Sequence, residues 1–132
     1  MKMQSERALS ILRASDEGIN AWQEINNSAH RRQRIELAGK AEALPLLGVT
    51  FGIKGIIDVI GYRTGFGSAI YEQPDAAINY SPSVDAAFVS LLKSKGALIL
   101  GKTVTTEFAT FKPSATANPA AKGRTPGGSS SG

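Results

Sequence analysis

Residues 83–100, which read SVDAAFVSLLKSKGALIL, decide the fold class. Apolar residues recur there at the i, i+3, i+4, i+7 and i+8 spacing of one helix face: Val84, Ala87, Phe88, Leu91 and Leu92. This pattern predicts a helix that is capped by Ser83 and packs one apolar stripe on a sheet. Gly96 suits the end of that helix, and residues 97–100 form a continuous apolar run typical of a strand covered on both faces. A helix followed at once by a buried strand predicts an α/β fold.

The residues on either side predict shorter elements. Ser5 to Ala14 fits a helix with Ser5 as its N-cap, and residues 19–25 fit either a helix or a strand. Residues 26–38 predict a second helix, which Gly39 closes. The glycines between positions 61 and 67 predict a loop, and a short helical turn is expected at residues 106–108.

Composition narrows the chemistry that the chain can perform. A length of 132 residues with 42% hydrophobic residues suffices for one core. The chain has no cysteine, which excludes a disulfide and a thiol nucleophile, and a Ser-His-Asp triad would depend on His30, the single histidine. No metal-ligand spacing stands out, and we expect no metal and no cofactor. Apolar runs fall far short of the ~20 residues that span a bilayer, so we expect a cytoplasmic protein without a membrane partner.

The net charge of +4 raises the question of a nucleic-acid partner. The densest basic run is Arg31-Arg32-Gln33-Arg34, which could contact phosphates. It lies in a helical pattern with Ile35 and Leu37, and no aromatic residue interleaves with it. A solvated helix face is therefore the better interpretation, and we do not expect a nucleic-acid partner.

A lysine ends the apolar run PLLGVTFGIK at residues 45–54. Alternation of apolar with small or polar residues predicts a strand that places Lys54 on the face shared with Thr50 and Gly52. Lysine has a pKa of about 10.4, and a general base at neutral pH needs roughly 7–8, a difference that burial can supply. By itself the stretch also fits a Lys54 that ends a strand and extends to water. Lys102 competes for the role because it follows the best-defined buried strand.

The chain closes with TPGGSSSG at residues 125–132. Composition alone fits a flexible linker. The segment is neither a Walker A loop nor a Gly-x-Gly-x-x-Gly dinucleotide motif.

Four stretches in order resemble the amidase signature family: residues 45–54, TGFGS at 64–68, GALILGKTVTTEFA at 96–109 and RTPGGSSSG at 124–132. Together they extend across nearly the whole chain from Leu44 onward. The resemblance implies an α/β fold in which helices cover a mixed sheet. This chain would carry the N-terminal part of one such domain, with residues 1–40 as a helical segment and residues 44–132 as the start of the α/β core.

The resemblance also implies an activity and its residues. Family members act on carboxamides through a Ser, cis-Ser, Lys triad, in which Lys54 matches the catalytic lysine and Ser129 the bridging serine on a cis peptide bond. A neutral Lys54 would draw the proton of Ser129, which would in turn accept that of the nucleophilic serine. Two residues depart from the family pattern: Gly55 replaces an acidic residue and Val104 an asparagine. The family's nucleophile lies further along than Gly132, so the chain alone is expected to be inactive.

These expectations define a leading function and its alternatives. The leading function is an amidase for a small-molecule amide, with Lys54 more buried than Lys102 and its amine near Ser129. The alternatives are a non-catalytic interaction module or half of a split protein, and an amidotransferase subunit that acts on charged transfer RNA. Expected macromolecular partners are a second copy in a homodimer or the missing C-terminal remainder of the same chain.

Overall fold

The computed structural model describes residues 2–39, 43–72, 78–110 and 112–132, with side chains from Arg7 onward. In chain order the elements are α1 (Lys2–Asp16), β1 (Trp22–Ile25), α2 (Asn27–Ala38), β2 (Thr50–Lys54), α3 (Ala69–Glu72), α4 (Ala87–Ser94), β3 (Leu98–Thr103) and a 3-10 turn (Glu107–Ala109). No helix within these described ranges is long and apolar enough to cross a membrane.

The three strands form one mixed sheet in the order β1-β3-β2. The central strand β3 pairs antiparallel with β1 and parallel with β2. Residues 98–102 of β3 are buried. The apolar run at 97–100 predicted this for residues 98–100. Because α4 lies between two parallel strands in the sequence, it provides part of the crossover that parallel pairing requires. The α/β prediction is confirmed.

A single hydrophobic cluster joins the sheet to its helices. Its buried members come from α2, β2, α4, β3 and the loop after β2: Ala29, Ile53, Val59, Tyr62, Val89 and Ile99. The Tyr62 hydroxyl donates a hydrogen bond to the Ile99 carbonyl at 2.9 Å. The Gln33 side chain bonds both the amide and the carbonyl of Ile99, at 2.8 and 3.2 Å. Polar contacts therefore fix α2 and the loop to the central strand inside the apolar core.

Most element boundaries near the start follow the sequence, and the exception is the beginning of the first helix. The first helix begins at Lys2, so the N-cap prediction for Ser5 is wrong. The residues ahead of Ser5 are good helix formers and continue the helix upstream. The ambiguous stretch at 19–25 contains strand β1. The second helix begins as predicted, with the Asn26 side chain accepting a hydrogen bond from the Ala29 amide at 3.0 Å, and it ends at Gly39.

Helix α4 begins later than its apolar pattern predicted. Its first residue is Ala87, and Ser83 does not cap it. The Asp85 carboxylate accepts the Ile60 amide at 2.7 Å and pairs with Lys93 at 2.8 Å. The Ala86 amide donates to the Asp58 carbonyl at 3.0 Å. These contacts fix the residues ahead of the helix to the loop after β2, so helical geometry starts only after them.

The buried face of α4 also differs from the predicted stripe. Val84, Phe88 and Leu91, which we call the α4 outer surface, are 68%, 46% and 59% exposed. Val89 is fully buried instead, and Ala86 and Leu92 pack against the core. Residues 86, 89 and 92 also recur at helical spacing, so the helix has apolar residues on two faces and packing on the sheet selects one.

The end of α4 follows the prediction. Gly96 has a φ of +94°, a conformation that glycine adopts without a steric penalty. Its amide donates to the Lys93 carbonyl, and the Ala97 amide donates to the Leu92 carbonyl. These two bonds are those of a Schellman motif, which turns the chain directly into β3.

Candidate active site

Lys54 and Ser129, which are 75 residues apart in the sequence, meet in the structure. Lys54 is the last residue of β2 and is paired with Thr103 of β3. Its Nζ atom is hydrogen-bonded to Ser129 Oγ at 2.6 Å. Both residues are half-buried. The contact lies where β2 and β3 end together, the edge at which α/β sheets bind ligands.

The residues directly after β3 hold the Ser129 backbone. The Thr106 amide and the Thr105 hydroxyl both donate to the Ser129 carbonyl, at 3.0 and 2.8 Å. The amides of Ser131 and Gly132 donate to the Val104 carbonyl at 3.0 and 3.1 Å. The closing segment is therefore packed against the sheet, and the linker interpretation of its composition does not describe it.

Gly128, directly ahead of Ser129, allows this close packing. The peptide bond between Gly128 and Ser129 is cis, as the family resemblance implied. A Cβ atom on Gly128 would lie 2.7 Å from Thr106 Cγ2. Any larger residue at position 128 would push the segment away from Thr106.

A cleft of about 530 Å³ opens beside Ser129. Its lining consists of threonines, glycines and small apolar residues: Thr106, Ala109, Thr110, Pro113, Thr125, Gly127, Gly128 and Ser129. These described lining residues carry no titratable side chain. Such a surface suits a neutral polar group, because hydroxyl and backbone groups can bond it without a charge.

Lys102, the competing lysine, has different surroundings. It is fully buried, and its Nζ donates to the carbonyls of Gly55 and Arg63 at 3.2 Å each. Burial lowers the pKa of Lys102 to about 8, although the nearby Asp58, Glu24 and Glu72 carboxylates act in the opposite direction. The prediction that Lys54 is the more buried of the two lysines is therefore wrong. Lys102 projects beneath the loop after β2, whereas Lys54 projects toward the closing segment.

The other candidate groups lie elsewhere. His30, Arg31 and Arg34 line a cleft of about 650 Å³ between α1 and α2, and none of them lines the cleft beside Ser129. No cluster of three or more His, Cys, Asp or Glu side chains with metal-binding geometry occurs in the described part of the chain.

Sequence reasoning missed two residues of the site, Thr105 and Thr106. They belong to the third family stretch, but nothing there marked them as supports of Ser129. Their position was informative, since polar residues that directly follow a buried strand lie at the functional edge of an α/β sheet.

The chain matches the family model named Amidase over residues 6–132, and it belongs to this family. It is 37% identical over 137 aligned positions to a subunit of glutamyl-tRNA(Gln) amidotransferase from Roseiflexus castenholzii, with 97% of this chain and 27% of the relative covered. It is 42% identical over 100 positions to Amidase 1 of Oryza sativa subsp. japonica, with 70% and 22% covered. The native peptide amidase of Stenotrophomonas maltophilia superimposes with a TM-score of 0.78 at 26% identity, with 96% and 28% covered.

The chain thus spans less than a third of the length of each of these relatives. The family resemblance and the α/β fold class with its mixed sheet are confirmed.

Proposed function

We propose that this chain supplies the base and the bridging hydroxyl of an amidase that hydrolyses a carboxamide of a small molecule. The observation that carries the proposal is the 2.6 Å contact between Lys54 Nζ and Ser129 Oγ. An amine and a hydroxyl in hydrogen-bond contact are the minimum for moving a proton away from a second hydroxyl. In this proposal the 132 residues form the N-terminal part of one domain, and the nucleophilic serine comes from outside them.

The proposed reaction begins with a neutral Lys54. Its Nζ accepts the proton of Ser129 Oγ while Ser129 Oγ accepts the proton of the nucleophilic serine, whose oxygen bonds the carboxamide carbon. The same path, reversed, delivers a proton to the leaving nitrogen as the C–N bond breaks. Water then attacks the acyl ester and gives its proton to Ser129, which passes its own to Lys54. The same path, reversed, returns a proton to the nucleophilic serine oxygen as the ester C–O bond breaks, and the carboxylic acid is released. Thr105 and Thr106 keep Ser129 Oγ in place by holding its carbonyl.

The proposed substrate class rests on the cleft beside Ser129. Its uncharged described lining favours a neutral carboxamide over a charged group at the reacting position. The cleft has room for a small molecule, since ligand pockets commonly measure about 300–1,000 Å³.

Ammonia release from a panel of carboxamides tests the proposal on the intact gene product. Lys54→Ala should lower turnover about 10²–10⁴-fold, which is the usual contribution of general-base catalysis. Lys122→Ala is the matched control, since Lys122 is exposed and does not line the cleft beside Ser129. Wild-type turnover in Lys54→Ala would refute the role of Lys54. The 132-residue chain alone should form no adduct with a fluorophosphonate probe, and a stable adduct on Ser129 would contradict the bridging role.

A second candidate is an amidotransferase subunit that acts on charged transfer RNA. The observation in its favour is that several relatives are named as subunits of glutamyl-tRNA(Gln) amidotransferase. Retention on charged transfer RNA that falls steeply with salt would favour this candidate. Hydrolysis of free carboxamides without such retention would favour the amidase.

The exposed α4 outer surface favours a third candidate, a non-catalytic module or one half of a split protein that binds a partner through apolar contacts. The mass of the native gene product separates these cases. A stable 132-residue species with a bound partner supports the module, and a single longer polypeptide supports the amidase.

A further inference from the structure

The buried Lys102 has no part in the proposed proton path, yet it contacts the residue that follows Lys54. One of its two acceptors is the Gly55 carbonyl at 3.2 Å. The Gly55 amide donates to the Thr103 carbonyl at 2.8 Å. Lys102 and Thr103, adjacent residues of β3, therefore hold the carbonyl and the amide of Gly55. They thereby also hold the peptide bond between Lys54 and Gly55.

The second acceptor of Lys102, the Arg63 carbonyl, is itself held in place by other hydrogen bonds. The Arg63 carbonyl accepts hydrogen bonds from Lys102 at 3.2 Å and from the Gln23 side chain at 3.3 Å. Its amide donates to Glu24 Oε2 at 3.0 Å. Two neighbouring residues of β1 thus anchor the Arg63 backbone, so Lys102 bridges a held point of the loop to Gly55.

Gly55 is closely surrounded, so no side chain fits at position 55 unless its neighbours shift. A Cβ atom at position 55 would lie 2.3 Å from Gln23 Oε1 and 3.2 Å from the Thr103 carbonyl oxygen. The tight surroundings mean that the conformation of Gly55 is set from outside, by the groups that bond it.

We propose that Lys102 is a positioning residue for Lys54: by holding the Gly55 carbonyl it fixes the backbone from which the Lys54 side chain reaches Ser129. The inference rests on the proposed function. Lys102 itself is not a base in this scheme, because its hydrogen-bond partners among the described residues are two carbonyls, which accept hydrogen bonds and carry no proton to transfer.

This role does not depend on the charge of Lys102. Its pKa is lowered by burial to about 8, and carboxylates of Asp58, Glu24 and Glu72 surround it. An ammonium has three N–H donors and a neutral amine has two. Either form can therefore supply one donor to each of its two carbonyl partners.

Steady-state kinetics of Lys102→Met in the intact gene product test the proposal. Methionine approximates the volume of lysine and removes its donors. Turnover per folded molecule should fall about 10–100-fold with KM within about 2-fold of wild type, because small misplacements of catalytic groups have effects of that size. Lys93→Met is the matched control: it removes a lysine from a half-buried ion pair with Asp85 and leaves Gly55 untouched, so its kcat should stay near wild type. Wild-type kcat in Lys102→Met would overturn the proposal.

Amide hydrogen exchange of the intact gene product gives a readout that needs no activity. In Lys102→Met the Gly55 amide should exchange at least about 10-fold faster, while amides inside β2 keep their protection. Unchanged Gly55 protection would overturn the positioning role. If wild type hydrolyses no carboxamide, the proposed function fails while this measurement still decides the role of Lys102. If Lys102→Met does not fold, Lys102→Leu, which also lacks donors, takes its place, with the same expected loss of kcat and the same contradicting results.

Discussion

The carboxyl ends of β2 and β3 lie side by side. Each strand carries one lysine there, and the two lysines bond different kinds of group. Lys54 is half-buried against the Ser129 hydroxyl, and Lys102 is fully buried against two backbone carbonyls. A hydroxyl both donates and accepts, so it can pass a proton on, whereas a carbonyl can only accept a hydrogen bond. Burial therefore does not identify the base of this site; the chemistry of the bonded partner does.

The largest expected effect comes from placing arginine at each of the two positions. Lys54→Arg should lower kcat at least about 10³-fold in the intact gene product, because a guanidinium stays protonated at any working pH. Lys102→Arg keeps N–H donors and should lose less than about 10-fold. Steady-state hydrolysis of a carboxamide measures both variants. More than a tenth of wild-type turnover in Lys54→Arg would remove the distinction between the two lysines.

Removal of the hydroxyl partner should have the next largest effect. Ser129→Ala should lower kcat about 10²–10³-fold, because Lys54 loses the group through which it acts. The backbone bonds from Thr105 and Thr106 to the Ser129 carbonyl remain, so Tm should change little. Ser130→Ala, at an exposed neighbouring position, serves as the control. Equal losses in the two serine variants would argue against a special role for Ser129.

The buried lysine should produce a pH dependence of stability. The pKa of Lys102 is lowered from 10.5 to about 8 in the folded chain, so between these values the unfolded chain binds more protons than the native chain. Stability from this group should therefore rise with pH across that window, by at most about 3 kcal/mol. Urea unfolding at several pH values measures the free energy of unfolding of wild type and of Lys102→Met. The difference between the two values at each pH removes the contribution of the other titrating groups. Parallel curves for the two proteins would show that Lys102 titrates normally.

The smallest expected effect comes from a carboxylate near Lys102. Glu72 raises the pKa of Lys102, and Glu72→Gln retains an acceptor for the Gly67 amide at 2.9 Å. The stability increase should then begin at lower pH by a few tenths of a unit, since one of three nearby negative charges is lost. The same urea series detects the change, and turnover should stay within about 2-fold of wild type. A shift to higher pH would mean that the Glu72 charge does not stabilise the ammonium.

Local patterns predicted the elements whose causes are local. The unit at residues 83–100 gave the α/β class, and Asn26 marked the start of α2. Features that depend on tertiary packing were not predictable in this way. Which apolar face of α4 is buried depends on the sheet beneath it, and the burial of Lys102 depends on the loop that covers it. The pairing of Lys54 with Ser129 followed only from family resemblance, because no periodicity relates residues 75 positions apart.

The separation of 75 residues between Lys54 and Ser129 also means that the two are synthesised at different times. Ribosomes add about 5–20 residues per second, so Ser129 is made roughly 4–15 s after Lys54. The residues of the β2–α4–β3 unit are all added before Ser129. The proton path therefore cannot exist on a nascent chain until the glycine-serine segment has docked beside the end of β3. Completion of the site therefore comes late in the synthesis of these 132 residues.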